Sequence, residues 1–119
     1  MEKAFGRDAR LRTRRELDFV RKNGRKYVGK YCVIIVADAP DLRKRSAVII
    51  SKRYSNRAVD RNRARRLFRE TYRRLFPYLA PVWTVMIPRR YLMNAGLNDL
   101  LPEVTELCRQ ADILNSETR

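Results

Sequence analysis

The sequence predicts a single α/β domain, and three observations predict it. Short apolar runs rich in β-branched residues, at 31–37, 46–51 and 82–88, have strand character. Segments at 13–22, 58–75 and 97–114 carry helical periodicity. The chain has 119 residues, 45% of them hydrophobic, which is enough for one modest core and too apolar for disorder. Residues 1–119 are therefore read as one domain, with a basic arm over about 1–12 and a flexible tail over about 115–119.

The first helix, TRRELDFVRK, has Thr13 as its cap and Glu16 three residues on, the pattern of a capping box. Leu17 and Val20 share a face, and Asn23-Gly24 ends the helix. The strands YCVIIVA (31–37) and SAVIIS (46–51) flank a polar loop and are expected to pair as neighbours. VWTVMIP (82–88) is a third strand, closed by Pro88. The final helix, 97–114, has its apolar stripe at Leu100, Val104, Leu107, Cys108 and Ala111, and Pro102 fits only near its start.

The segment 58–75 is the most informative. Wound at roughly 100° per residue, it gathers Ala64, Leu67, Phe68, Thr71 and Leu75 into one apolar sector. Asn62, Arg65, Arg66, Arg69 and Arg73 lie on the opposite side. Ser55 or Asn56 is expected to cap this helix, and Pro77 to stop it near Leu75 or Phe76. A merely solvated face mixes Lys with Glu; here Arg65, Arg69 and Arg73 repeat at i,i+4, which sets like charges side by side. From 52 to 74 there are nine Arg and one Lys. Arginine offers a planar fork that grips phosphate with two hydrogen bonds and stacks on bases. The pattern points to a phosphate backbone and does not separate RNA from DNA.

The charge agrees: 28 Lys and Arg against 13 Asp and Glu, net +15, which attracts a polyanion. The charge is uneven, with 97–119 holding two basic and five acidic residues. There is no histidine, so the commonest general base and the Ser–His and Cys–His nucleophile pairs are missing. No paired-carboxylate metal motif, phosphate loop or dinucleotide fingerprint occurs. Cys32 and Cys108 lie in apolar surroundings and are expected to be free thiols rather than a disulfide or zinc ligands. With no apolar run of about 18 residues and no signal-peptide core, a cytoplasmic address is expected. An interfacial membrane role fits poorly, because the apolar face of the Arg helix is small.

The stretch SKRYSNRAVDRNRARRLFRE, 51–70, closely resembles the signature of the bacterial ribonuclease P protein subunit. Its centre is Arg61-Asn62-Arg63, followed by Arg65-Arg66 and Arg69-Glu70 and preceded by Lys52-Arg53 and Ala58-Val59. The resemblance spans roughly residues 5–112. It implies a mixed sheet of about four strands with three helices, in the order α-β-β-β-α-β-α. An extra short strand would lie near Lys26–Val28. The resemblance also implies a left-handed β-α-β crossover, against the usual rule.

It implies an RNA-binding subunit that joins the catalytic RNA of ribonuclease P to remove the 5′ leader of precursor tRNA. Catalytic groups and Mg²⁺ would belong to the RNA, and the protein alone would be inactive and bind no cofactor. RNA-binding residues would be Lys52, Arg53, Arg57, Arg61, Asn62, Arg63, Arg65, Arg66, Arg69 and Arg73. Leader contacts would come from Arg10, Arg12, Leu17, Arg21, Tyr27, Tyr31, Cys32 and Ile34, with Phe5 and Phe19 as further aromatics. The chain departs from the family in three places: the turn Tyr54-Ser55-Asn56-Arg57 lacks glycine, Asp60 sits beside the Arg core, and Leu17 and Arg21 replace phenylalanines of the first helix. Asp60 is expected to pair with a nearby arginine. The other readings are a structural RNA-binder of another ribonucleoprotein, such as the ribosome, and a self-sufficient nuclease, which the missing catalytic residues disfavour.

Overall fold

The structure, a computed structural model, describes residues 9–115. The start of the basic arm, with Phe5, and the tail beyond Asn115 lie outside the described residues. In chain order the elements are α1 (Arg14–Asn23), β1 (Arg25–Val28), β2 (Cys32–Asp38), β3 (Arg45–Val48), α2 (Ala58–Leu75), β4 (Val82–Pro88) and α3 (Leu97–Gln110). Short 3-10 turns occupy Phe76–Tyr78 and Arg90–Asn94. The order α-β-β-β-α-β-α is as expected.

One mixed sheet runs β1-β2-β4-β3. β1 and β2 are antiparallel, β2 and β4 are antiparallel, and β3 and β4 are parallel, with α2 as the connection between them. The expected neighbours, 31–37 and 46–51, are therefore not paired: β4 lies between them. The physical reason is burial. β2 and β4 are the most continuously apolar strands and take the two central places, where one face is covered by α2 and α3 and the other in part by α1. β3 ends at Val48 rather than residue 51, although Ile49 still donates its N–H to Met86 O at 2.9 Å. β1 is an edge strand whose Arg25 and Lys26 are exposed, the composition that blunts an edge.

The sheet has a core on each face. Cys32, Ile34, Val36 and Met86 meet Ala64 and Phe68 of α2 and Leu100 and Val104 of α3. On the opposite face Ala37, Val85 and Trp83 meet Val20, Leu17 and Phe19 of α1. Phe19 and Trp83 contact edge to face at 5.5 Å, so this aromatic fastens α1 to the sheet.

α1 begins with the predicted capping box: Glu16 N–H donates to Thr13 Oγ1 at 3.1 Å, and Thr13 N–H donates to Glu16 Oε1 at 3.0 Å. The N–H of Thr13, then that of Arg12, hold the Glu16 carboxyl below the usual carboxylate range. At the other end Gly24 is needed for space: a Cβ there would stand 2.4 Å from Val20 O and 2.8 Å from Ile35 Cγ2.

Two helix ends differ from expectation. α2 is capped by Arg57, without a side-chain bond, rather than by Ser55 or Asn56. Ser55 Oγ instead accepts from Arg57 N–H at 3.1 Å and donates to Asp60 Oδ2 at 2.8 Å. Asp60 thus takes a serine hydroxyl rather than the expected arginine, and the loop is stitched one step before the helix starts. α3 ends at Gln110, not residue 114, because Asp112 adopts φ 58°. Ile113 N–H reaches Cys108 O at 3.1 Å and Asp112 N–H reaches Arg109 O at 3.1 Å, a Schellman closure with aspartate in the usual place of glycine.

Candidate nucleic-acid interface

The buried face of α2 is the one its sequence predicts: Ala64, Phe68, Thr71 and Leu75 are buried, joined by Tyr72. Its arginines divide into two groups. Arg61 and Arg63 are half-buried and bound to backbone. Arg61 Nη1 donates to Ser55 O at 2.8 Å. Arg63 donates to Leu92 O at 3.4 Å and, more closely, to Ala95 O. These two fix the start of α2 and tie it to the Arg90–Asn94 turn. Arg57, Arg65 and Arg66 are exposed, and their side chains have no hydrogen bond or ion pair with any described residue. Arg69, Asn62, Lys52 and Arg53 are exposed as well.

The last turn is partly neutralised. Glu70 accepts Arg73 Nε at 3.1 Å and Arg74 Nε at 2.7 Å. Hydrogen bonds from Arg73 and then Arg74 bring its carboxyl down to about 2, so it stays ionised. Uncompensated charge is thus concentrated on the first half of α2, at Arg57, Arg65 and Arg66.

The N-terminal arm extends this surface. Leu11 N–H donates to Ser46 O at 3.0 Å and seats the arm along β3. Arg10 and Arg12 are exposed there. Together with Arg65 and Arg69 they rim a cavity of about 370 Å³ over Val48 and Phe68. Arm and helix therefore present one continuous cationic front.

The expected leader residues are not brought together as a group. Cys32 and Ile34 are 0% exposed and lie in the core under α2 and α3, so neither can touch a strand on the surface. Tyr27, opposite Ile34 in the register, shares that face, and Tyr31 also packs on that core. The opposite parity, Val33 and Ile35, faces the α1 side. There α1 covers only part of the sheet. Val33, Ile35, Ile87 and Ile49 stay half-exposed, Val28 is 57% exposed, and exposed Lys26 pairs across from Ile35. Leu17 is half-buried and Arg21 exposed on α1.

The two thiols are inert. Cys32 and Cys108 are free and buried. Burial raises both, Cys108 to about 12, and the nearby Glu103 raises Cys32 further. Among the described residues no three His, Cys, Asp or Glu side chains converge on a metal site.

The family model described as Ribonuclease P matches residues 5–112. The chain belongs to the ribonuclease P protein family. It is 34% identical over 113 residues to the ribonuclease P protein component of Chloroflexus aurantiacus, covering 92% of this chain and 82% of that protein. It is 32% identical over 108 residues to that of Herpetosiphon aurantiacus, covering 90% and 87%. The fold matches the RNase P protein of Staphylococcus aureus with a TM-score of 0.81 at 17% identity, over 90% of this chain and 98% of that one. It matches that of Thermotoga maritima with a TM-score of 0.75 at 23% identity, over 85% and 96%. As a ribonuclease P protein the chain is the RNA-binding component of an RNA–protein endoribonuclease that matures tRNA 5′ ends, and its partner is the ribonuclease P RNA. The ribosomal and self-sufficient nuclease readings fall with this result. Among the described residues no helix is long and apolar enough to cross a membrane.

Sequence reasoning missed three features of this ribonuclease P protein. The backbone-bound role of Arg63 could not be told from the outward role of Arg65. Val33 and Ile35 were hidden because every position of 32–37 is apolar. Exposed Tyr91, after Arg89-Arg90, was not singled out, although an aromatic following paired arginines outside any apolar run is a readable signal.

Proposed function

We propose that α2 and the N-terminal arm bind phosphates of the ribonuclease P RNA, while the α1 side of the sheet holds the single-stranded 5′ leader of precursor tRNA. The carrying observation is that Arg57 at the start of α2 and Arg65 and Arg66 on it are exposed, on a helix whose other face is locked in the core. Lys52, Arg53 and Arg69 extend that set, and Arg10 and Arg12 continue it onto the arm. Arg61 and Arg63 support it by position, and Arg73 joins it once RNA competes with Glu70.

For the leader, the open strip of Val33, Ile35 and Ile87 offers apolar contact, and Lys26 and Arg21 offer charge at its borders. Extended single strands are bound by such cationic grooves. Leu17 and Phe19 form the α1 wall. The Mg²⁺ that phosphodiester hydrolysis uses is assigned to the RNA. Three carboxylates on α1 and α2, Glu16, Asp60 and Glu70, already accept protein hydrogen bonds. Soluble surroundings, the cytoplasm, follow for a partner of tRNA.

The test is reconstitution with ribonuclease P RNA. Protein alone should leave precursor tRNA uncut, and the complex should cut it. Addition of protein should raise affinity for precursor tRNA more than for mature tRNA. Equal gains for both would remove the leader site, and an unchanged salt slope in an Arg65→Ala/Arg66→Ala variant would remove the phosphate site.

A further inference from the structure

We propose that Tyr91 is a stacking platform for a nucleobase of single-stranded RNA, placed where the leader leaves the α1 side of the sheet. The inference rests on the leader reading above and extends it to a further subsite.

Tyr91 belongs to neither core and is 59% exposed, in the 3-10 turn after β4. Its neighbours are cations. Lys30 Nζ lies 5.8 Å from its ring centre and 5.4 Å from that of Tyr31, and the Arg89 guanidinium lies 6.0 Å from Tyr91. Arg89 is held in place by a 2.7 Å bond from its Nη1 to Gly29 O. An exposed ring among cations, outside both apolar clusters, is the combination that binds single strands: the ring takes a base face and the cations take the phosphates on either side.

The location supports the same occupant. Arg90 lines two depressions. One also contains Ile49, Ile87 and Arg53, at the end of the apolar strip assigned to the leader. The other, of about 740 Å³, contains Lys30, Tyr31 and Tyr91. A strand leaving Ile87 thus passes Arg90 and meets Tyr91 next. The acid in this depression, Asp99, caps α3, its carboxylate accepting the Gly96 N–H at 3.0 Å, and Lys30 and Arg90 outnumber it there. The turn carrying Tyr91 is fastened to α2 through Arg63, which holds the backbone from which the ring projects.

The experiment uses the complex reconstituted with ribonuclease P RNA and precursor tRNAs bearing 2-aminopurine at successive leader positions. Wild type and Tyr91→Phe should quench one position; Tyr91→Ala should release that quench. Tyr91→Ala should also weaken precursor binding roughly 5-fold or more, with mature tRNA unaffected. Lys30→Ala should lower the salt slope for precursor alone. An unchanged quench pattern in Tyr91→Ala, while wild type still prefers precursor over mature tRNA, overturns the platform and leaves the leader site standing. Equal losses for precursor and mature tRNA overturn it too, since the ring would then serve the catalytic RNA or the fold. If wild-type protein shows no preference for precursor, both readings fail together.

Discussion

Glu103 of α3 sits over Gly29 so closely that a Cβ on Gly29 would lie 2.4 Å from the Glu103 carboxyl carbon. The same carboxylate accepts three backbone N–H groups of the turn between β1 and β2: Lys30 at 2.7 Å, Tyr31 at 2.8 Å and Cys32 at 3.0 Å. An acid from a distant helix thus does what a tight hairpin turn does for itself. Bonds to a charged group are each worth about 1.5–3 kcal/mol, and unpaired buried donors are costly. Glu103→Gln should destabilise by about 1–2 kcal/mol and Glu103→Ala by about 3 kcal/mol, read from urea midpoints. Gly29→Ala should cost about 1–3 kcal/mol by overpacking. Because the two act on one contact, the double variant should cost less than the sum of Gly29→Ala and Glu103→Ala.

Arg63 and Arg65 should part company when substituted. Arg63→Ala loses the bonds to Leu92 O and Ala95 O and should lower stability by about 1.5–3 kcal/mol. Arg65→Ala/Arg66→Ala should leave the melting temperature within about 2 °C and weaken RNA binding. For every phosphate left without its arginine, the salt slope should fall by roughly 0.7–0.9. Thermal melts and salt titrations of both variants separate the two roles.

The thiols predict an alkaline limit. Both are raised in the folded state, so the fold keeps protons that the unfolded chain releases above a pKa of about 8.5. Their contribution is therefore complete below about pH 8.5 and declines as pH rises toward about 12, the folded value of Cys108. The slope should reach roughly 1.4 kcal/mol per pH unit for each thiol, and Cys108→Ala should flatten it. A thiol reagent at neutral pH should label neither cysteine until the protein is unfolded.

Anions should stabilise the protein by site binding. With net charge +15, and with Arg10, Arg12, Arg65 and Arg69 rimming one cavity, the folded form alone offers grouped guanidinium groups. Millimolar sulfate should raise the melting temperature more than chloride of equal ionic strength, and Arg65→Ala/Arg66→Ala should lose part of that difference. The double variant is the control for sulfate's general strengthening of burial.

The sequence carried local structure well and pairing poorly. Thr13 and Glu16 announced the start of α1, and the apolar sector of 58–75 announced the buried face of α2, because caps and periodicity act over a few residues. The parity of β2 was unreadable because apolar residues at every position from 32 to 37 erase the alternation that marks a face. Likewise no local signal says that β3 must seek β4 past an intervening helix. Asp112 hid the end of α3, since the left-handed turn there has no glycine to advertise it.

The central pair of strands has a consequence for the order of events in folding. Cys32 pairs with Pro88 and Asp38 with Val82, so β2 cannot find its main partner until β4 has been made. During synthesis the most apolar strand of the chain emerges early and waits through the whole of α2 with only β1 beside it. Such distant pairing must close a long loop before it is rewarded, which slows folding and lengthens the exposure of a sticky segment. Lys and Arg before β2, and the arginines of α2 that follow, keep that waiting chain charged and apart from its copies. The cations assigned above, by proposal, to RNA thus have a second use in protecting the protein before any RNA is bound.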